Sequence, residues 1–197
     1  MKVAGIVLAA GRSTRMRENK LLLRIDGETL VRRAARAARD GGLDPVLVVL
    51  GHEAGRVGAE LGGLGCVAVV NPRHALGLNA SLDAGVAAVP ADADAAVVLL
   101  ADMPLVTAAM IRTLVARGRE AGAAIVASRY GADVAPPALY ARAVFEELRG
   151  GEGEGRGREG LRRRAGEVAW VDWPATALAD VDVPADLERA RRGGGPA

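Results

Sequence analysis

The residues best able to do chemistry fall in four short stretches. They are the turn Ala10-Gly11-Arg12 running on through Arg15 and Arg17 to Lys20, the segment Asn71 to Ser81, the lone Asp102, and the acidic run Asp180-Val181-Asp182. In the first, the apolar run Val3 to Ala9 breaks into small residues and then presents cations. Gly11 lets a backbone approach a ligand closely. Free N–H groups in such a turn point at phosphate oxygens, and Arg12, Arg15 and Lys20 supply positive charge where phosphoryl transfer builds up negative charge. This layout suits a nucleoside triphosphate.

Asp102 ends the most apolar segment of the chain, Ala95 to Ala101. In an open α/β sheet the carboxyl ends of the strands are where ligands bind. Mg²⁺ takes one or two carboxylates together with phosphate oxygens and water. Asp102 offers one carboxylate. Asp180 and Asp182, read as alternate residues of a strand, share a face, and Asp182 is the favoured second ligand. Asp186 reads instead as a first-turn carboxylate of a helix opened by Pro184. In the stretch Asn71 to Ser81, Gly77 permits close approach. Asn71, Asn79 and Ser81 offer neutral donors and acceptors suited to a base or ribose. His74 reads as a surface residue without a role.

Residue scarcity sharpens this choice. Of 26 basic residues only Lys2 and Lys20 are lysine; glutamine is absent, and serine and asparagine occur three times each. In a chain so biased to Arg, Ala and Gly, a compact lysine charge that arginine does not mimic stands out. Two of the three asparagines, one serine and one of the two histidines lie between Asn71 and Ser81.

Behind these stretches the pattern alternates strand and helix. Strands are predicted at Val3–Ala9, Pro45–Leu50, Cys66–Val70, Ala95–Ala101 (central), Ala123–Ser128, Glu167–Trp173 and Ala177–Val181. Helices are predicted at Glu28–Arg39 (closed by Gly41-Gly42), Glu53–Leu61, Ala80–Val89, from the Thr107 cap to Ala121, at Arg142–Leu148 and at Ala185–Arg192. Continuous apolar strands between helices predict a mostly parallel sheet covered on both faces, a Rossmann-like three-layer α/β/α sandwich. The run Ala135-Pro136-Pro137-Ala138-Leu139-Tyr140 is not expected in a central strand, because proline lacks the ladder donor. Gly150–Gly160 reads as a mobile loop, and residues 193–197 as a disordered tail after a single domain of residues 1–192.

Composition removes several classes of function. Half of the 197 residues are hydrophobic but only 3% are aromatic, and the net charge is +2. Spread arginines and few aromatics argue against a nucleic-acid partner. One cysteine, Cys66, gives neither a disulfide framework nor a cysteine-rich metal site. With no signal-peptide layout and no apolar run of about 18 residues, the chain is expected to be cytoplasmic and away from membranes. The opening loop carries neither a G-x-x-x-x-G-K-[ST] nor a G-x-G-x-x-G motif.

LAAGRSTRM followed by NKLL, the segment ADMP, and DVDVPADL near the end together resemble the molybdenum cofactor nucleotidyltransferases, and most of all the molybdopterin cytidylyltransferases. The likeness runs from Val3 to about Arg191. It implies a Rossmann-like fold, dependence on Mg²⁺, and attack of a substrate phosphate on the α-phosphate of a nucleoside triphosphate with release of pyrophosphate. It also implies roles: Leu8, Ala9, Ala10 and Gly11 lining the base, Arg15 and Lys20 gripping the triphosphate, Gly77 and Ser81 touching the base, and Asp102 and Asp182 holding the metal. In this family LAAG accompanies cytidylyl transfer and LAGG guanylyl transfer, so Ala10, whose methyl takes room from a purine, implies CTP. The implied acceptor is molybdopterin, with a molybdoenzyme or its chaperone as protein partner. Three departures matter: Arg17 where glycine is usual, which changes the opening loop or adds a cation, and, on the acceptor side, Ala135-Pro136-Pro137 in place of a glycine and a polar residue before proline, and Gly150–Gly160 in place of a glycine-aspartate stretch. The alternatives are the same chemistry on a sugar or alcohol phosphate, guanylyl transfer to the molybdenum cofactor, and a non-catalytic nucleotide sensor.

Overall fold

The computed structural model describes residues 1–13, 16, 18–150 and 155–193. Arg15, Arg17, residues 151–154 of the predicted mobile loop and the last four residues of the predicted tail lie outside that set. The elements run β1 (Val3–Ala9), β2 (Arg24–Ile25), β3 (Glu28–Thr29), α1 (Leu30–Asp40), β4 (Val46–Leu50), α2 (Ala54–Ala59), β5 (Val67–Val70), α3 (Leu78–Ala87), β6 (Ala95–Leu100), α4 (Ala108–Ala121), β7 (Ile125–Tyr130), β8 (Asp133–Ala141), α5 (Phe145–Leu148), α6 (Arg156–Arg163), β9 (Val168–Trp173) and α7 (Pro184–Gly193). Single turns of 3-10 helix join several of them.

Seven strands form one sheet in the order β5-β4-β1-β6-β8-β7-β9, and β2 pairs with β3 in a separate ribbon. β5, β4, β1 and β6 are mutually parallel. β9 runs parallel to β7, while β8 runs antiparallel to both of its neighbours. Every residue of β1 and β4 is buried, as expected of strands covered on both faces. Alternation sends Val3, Val7, Val46, Val48, Val97 and Leu99 to one core with α1 and α4. Ala4, Ile6, Leu47, Val49, Ala96 and Val98 go to the other, with α3 and α5. That is the predicted three-layer sandwich, with β6 at its centre. The chain leaves β1 for β4 on one side and returns to β6 on the other. The reversal of strand order therefore falls at the carboxyl end of β1, where open sheets leave a crevice.

Three expectations are corrected. Ala135–Tyr140 belongs to an interior strand. Its prolines are tolerated because the register shifts between Ala127 and Arg129: β7 pairs with Ala138–Tyr140 and again with Asp133–Val134, and β6 pairs only with Ala138–Ala141. Ala135, Pro136 and Pro137 thus lie in neither ladder, at a bulge that needs no proline N–H. The carbonyls of Pro136 and Pro137 accept hydrogen bonds from the Tyr130 hydroxyl (2.9 Å) and Ser128 Oγ (2.6 Å).

Ala177–Val181 is not a strand. Ala175–Ala177 forms one 3-10 turn. The chain then crosses the carboxyl end of the sheet, where the Val181 N–H donates to the Asp102 carbonyl (3.0 Å). Val181 is anchored in a small apolar cluster with Ile25, Leu30 and Leu187. In the glycine-rich stretch, residues 156–160 open α6 and are not loop.

The helices of this alanine-rich core sit close to the sheet. A Cβ on Gly85 of α3 would lie 2.5 Å from Ile6 Cγ2 and 3.1 Å from Val49 Cγ2. Gly85→Ala is therefore expected to lower stability by about 1–3 kcal/mol through overpacking, outweighing the roughly 1 kcal/mol that helix propensity returns. A urea midpoint equal to or above that of the parent would show that α3 is free to move outward.

Candidate active site

Lys20 opens a single 3-10 turn whose start is fixed twice. The Asn19 side chain accepts from the Leu21 N–H (3.1 Å), and the Lys20 N–H donates to Ser13 Oγ (3.0 Å). The turn aims the ammonium at two carboxylates: Nζ lies 2.6 Å from Asp102 Oδ2 and 2.8 Å from Asp182 Oδ1. Asp102 stands just beyond the end of β6, in a stretch tied back to β1 by the Ala101 N–H donating to the Leu8 carbonyl (3.1 Å). Asp182 reaches the site without the strand alternation expected of it. The Val181 backbone bond to Asp102 brings it there, and Asp186 Oδ2 accepts from the N–H groups of Asp182 (2.9 Å) and Val183 (2.8 Å). Asp186, at the start of α7 as expected, so holds the backbone of a site residue. Asp180 is exposed and lines a different cleft.

Burial pulls the Lys20 ammonium down, but the charges and hydrogen bonds of Asp102 and Asp182 outweigh it and leave it above the ordinary lysine value. A raised cation stays protonated through the neutral range. Its contribution to stability is complete below the ordinary lysine pKa and is lost only as the pH climbs through the folded value.

The carboxyl ends of β1 and β6 floor a cleft of about 470 Å³, and the start of α3 forms a wall. Leu8, Ala9, Ala10, Gly11, Arg12, Lys20, Gly77, Ser81, Asp102 and Asp182 line it, so ten of the predicted site residues meet there. Gly77 has φ +105°, a backbone that a side chain would strain. The first turn of α3 has no side-chain cap and no acidic residue, so its N–H groups suit an anion.

Asn71 is only 2% exposed. Its Nδ2 donates to Ser81 Oγ (3.2 Å) and its Oδ1 accepts from the Arg73 N–H (2.9 Å). It shapes the wall and is not among the lining residues. Ser13, Leu21 and His74 line the cleft and were not assigned from sequence. Ser13 carried a signal in being one of only three serines.

A second cleft of about 450 Å³ shares Leu8, Leu78 and Leu100 with the first. Its lining is mainly apolar, with Leu82, Val98 and Pro136 beside Asn79, Asp180 and Tyr140. Burial pushes the Tyr140 phenol up to about 12. A Cβ on Gly157 of α6 would lie 3.2 Å from the Tyr140 hydroxyl, so α6 closes tightly over this cleft.

Two carboxylates converging on one cationic nitrogen form a donor set that also fits a hard divalent ion. Among the described residues no three histidine, cysteine or acidic side chains are placed so that together they could hold a metal ion. A metal here would draw its remaining ligands from phosphate and water. No helix of the described residues is long and apolar enough to cross a membrane.

Comparison with known proteins fits this geometry. The family model of the MobA-like NTP transferase domain matches residues 5–168. A probable molybdenum cofactor guanylyltransferase of Opitutus terrae is 32% identical over 196 residues, covering 96% of this chain and 95% of its own length. The bifunctional protein GlmU of Pelobacter propionicus is 33% identical over 125 residues, 62% of this chain, but the match spans only 27% of GlmU. Among solved structures, Rv0371c of Mycobacterium tuberculosis superposes with a TM-score of 0.86 at 28% identity, covering 97% of both chains. Its complex with manganese gives 0.83 at 29% identity, covering 98% of this chain and 99% of its own.

The contact of Lys20 with both carboxylates makes it a competitor of any free cation. Lys20→Met is expected to bind Mn²⁺ without nucleotide about tenfold more tightly than the parent, because a positive charge within a few ångströms is removed. Electron paramagnetic resonance of free Mn²⁺ measures this. Equal or weaker binding would place the metal elsewhere.

Proposed function

The chain belongs to the MobA-like NTP transferase domain family, and from that premise we propose that residues 1–192 act as one cytoplasmic nucleotidyltransferase domain moving CMP from CTP to molybdopterin, with Mg²⁺. The observation that carries this reading is the meeting of Lys20, Asp102 and Asp182 at the carboxyl ends of β1 and β6. The manganese complex of Rv0371c supports a divalent ion.

In this reaction an acceptor phosphate oxygen attacks the α-phosphorus. The new P–O bond forms as the bond to the bridging oxygen of the β-phosphate breaks, and pyrophosphate leaves with the electron pair. Bound at Asp102 and Asp182, Mg²⁺ would draw charge from the phosphate oxygens. The chain's own part is position and electrostatics. Lys20 turns its fixed charge to the phosphates, and Arg12 and Arg15 add to it. The N–H groups of the β1 turn and of the first turn of α3 bind oxygens without reorganising. The second cleft, opening beside the first, suits the acceptor, and its apolar walls favour a flat ring system over a sugar. A molybdoenzyme or its chaperone would receive the product.

CTP is assigned on Ala10, whose methyl lies against Gly51 at the cleft wall. The name of the Opitutus terrae relative favours a second reading, guanylyl transfer to the molybdenum cofactor.

Pyrophosphate release tests both. CTP, GTP, ATP and UTP are each supplied with Mg²⁺, with and without molybdopterin. Release is expected only with CTP and molybdopterin together. Release only with GTP and molybdopterin together would establish the guanylyl reading, and nucleotide binding without release from any pair would mean either another acceptor or a sensor. Lys20→Ala should cut turnover about 10²–10³-fold while weakening CTP binding far less, and unchanged turnover would remove Lys20 from the mechanism. Ala10→Gly should narrow the preference for CTP over GTP, and a variant as selective as the parent would show that the base is chosen elsewhere.

A further inference from the structure

We infer that His74 reads the nucleobase, and that Gly51 is the residue that admits its ring to the cleft. This rests on the nucleotidyltransferase reading and goes beyond it by naming a side chain, beside Ala10, that contacts the base. His74 lines the first cleft and is the only aromatic ring among its described lining residues. Its Nδ1 is fully buried and has no hydrogen-bond partner among the described residues. Buried polar atoms are almost always paired; this one belongs to a ring in the wall of an open cleft, and a turn of the ring brings it to a ligand that completes the bond. Ser81 of α3, which also lines the cleft, accepts from Asn71 Nδ2.

The ring is held by close packing. A Cβ on Gly51 would come within 2.5 Å of His74 Cβ, 2.6 Å of His74 Cγ and 2.8 Å of Ala10 Cβ. Ala10, Gly51 and His74 are therefore three layers of one wall, and any side chain at position 51 would drive the imidazole out of it.

Position along the sheet gives the end of the nucleotide concerned. Asn71, at the base of the His74 loop, is tied to β4 by its N–H donating to the Leu50 carbonyl (2.8 Å). Asp102 follows β6, and β1 lies between β4 and β6. At about 4.8 Å per strand, the His74 end stands roughly 10 Å across the sheet from the carboxylates. The reacting phosphate belongs at the carboxylates, so the base belongs at the other end, against a flat ring that offers both a stacking face and a nitrogen.

Calorimetric titration of the full chain with Mg²⁺ tests this, using CTP, GTP and inorganic tripolyphosphate, which has no base. His74→Leu keeps bulk and removes both nitrogens. His74→Asn returns a polar atom near the place of Nδ1. His74→Leu is expected to weaken the nucleotide preferred by the parent about tenfold and to leave tripolyphosphate within twofold. His74→Asn should restore most of the loss. Equal weakening of nucleotide and tripolyphosphate would show that the ring only supports the loop, and no weakening would show that it is idle; either result overturns the inference alone. A parent that binds no nucleotide at all would overturn the nucleotidyltransferase reading with it.

Discussion

The arrangement turns on one ammonium between two carboxylates. Asp102 and Asp182 are 80 positions apart in sequence, and carboxylates this close repel unless a cation lies between them. Lys20 supplies that cation from a third part of the chain. The opening loop, the end of the central strand and the approach to the last helix are thereby fixed to one another. The backbone bond from Val181 to Asp102 and the grip of the Asp186 carboxylate on the N–H groups of residues 182 and 183 hold the same convergence without an ion pair. A half-exposed Asp182 would wander if it depended on the ion pair alone, since exposed pairs contribute little. Anchoring the backbone puts the geometry under packing and leaves the charges for the ligand.

The core that positions these groups is built from small side chains, and this has a structural consequence. With few aromatics to fill space, helices approach the sheet until glycine is required at the contact. Gly85 of α3 meets Ile6 of β1 in this way, and the same closeness recurs where Gly41 at the end of α1 meets Ile111 of α4 and where Gly51 after β4 meets His74. The contact of Gly85 holds α3 down on β1 and β4, which places its uncapped first turn beside the β1 turn. The start of α3 and the turn after β1 then line one cleft, so dense packing on one face of the sheet shapes the cleft at its carboxyl end.

Much of this was legible in the sequence because it follows from local rules. An unbroken apolar run meant a strand buried on both faces, so β1 was found to the residue, and the scarce lysine marked the site. What escaped depended on partners distant in sequence. The proline rule failed at Pro136 and Pro137 because a register shift on β7, invisible in β8 itself, removes the need for their donors. The predicted strand at Ala177–Val181 had suitable residues but no sheet edge to join, since Val181 bonds to Asp102 instead. Asp182 was identified through an alternation that does not exist. It reaches Lys20 because Asp186 and Val181 pin its backbone. His74 looked idle because its neighbours in space, Gly51 and Ala10, come from other strands.

The two clefts differ in what they ask of the chain. The first is floored by the carboxyl ends of interior parallel strands and walled by a helix start, so most of its donors are backbone and its few side chains are fixed by charge balance. Little can change there without moving the sheet. The second is closed by β8 and α6, where the bulge frees three residues from the ladders and where a single helix, laid against Tyr140 through Gly157, forms the roof. Its shape depends on side-chain volume, which substitution alters without disturbing any hydrogen-bonded strand. Leu8, Leu78 and Leu100 line both clefts, so the two lie side by side.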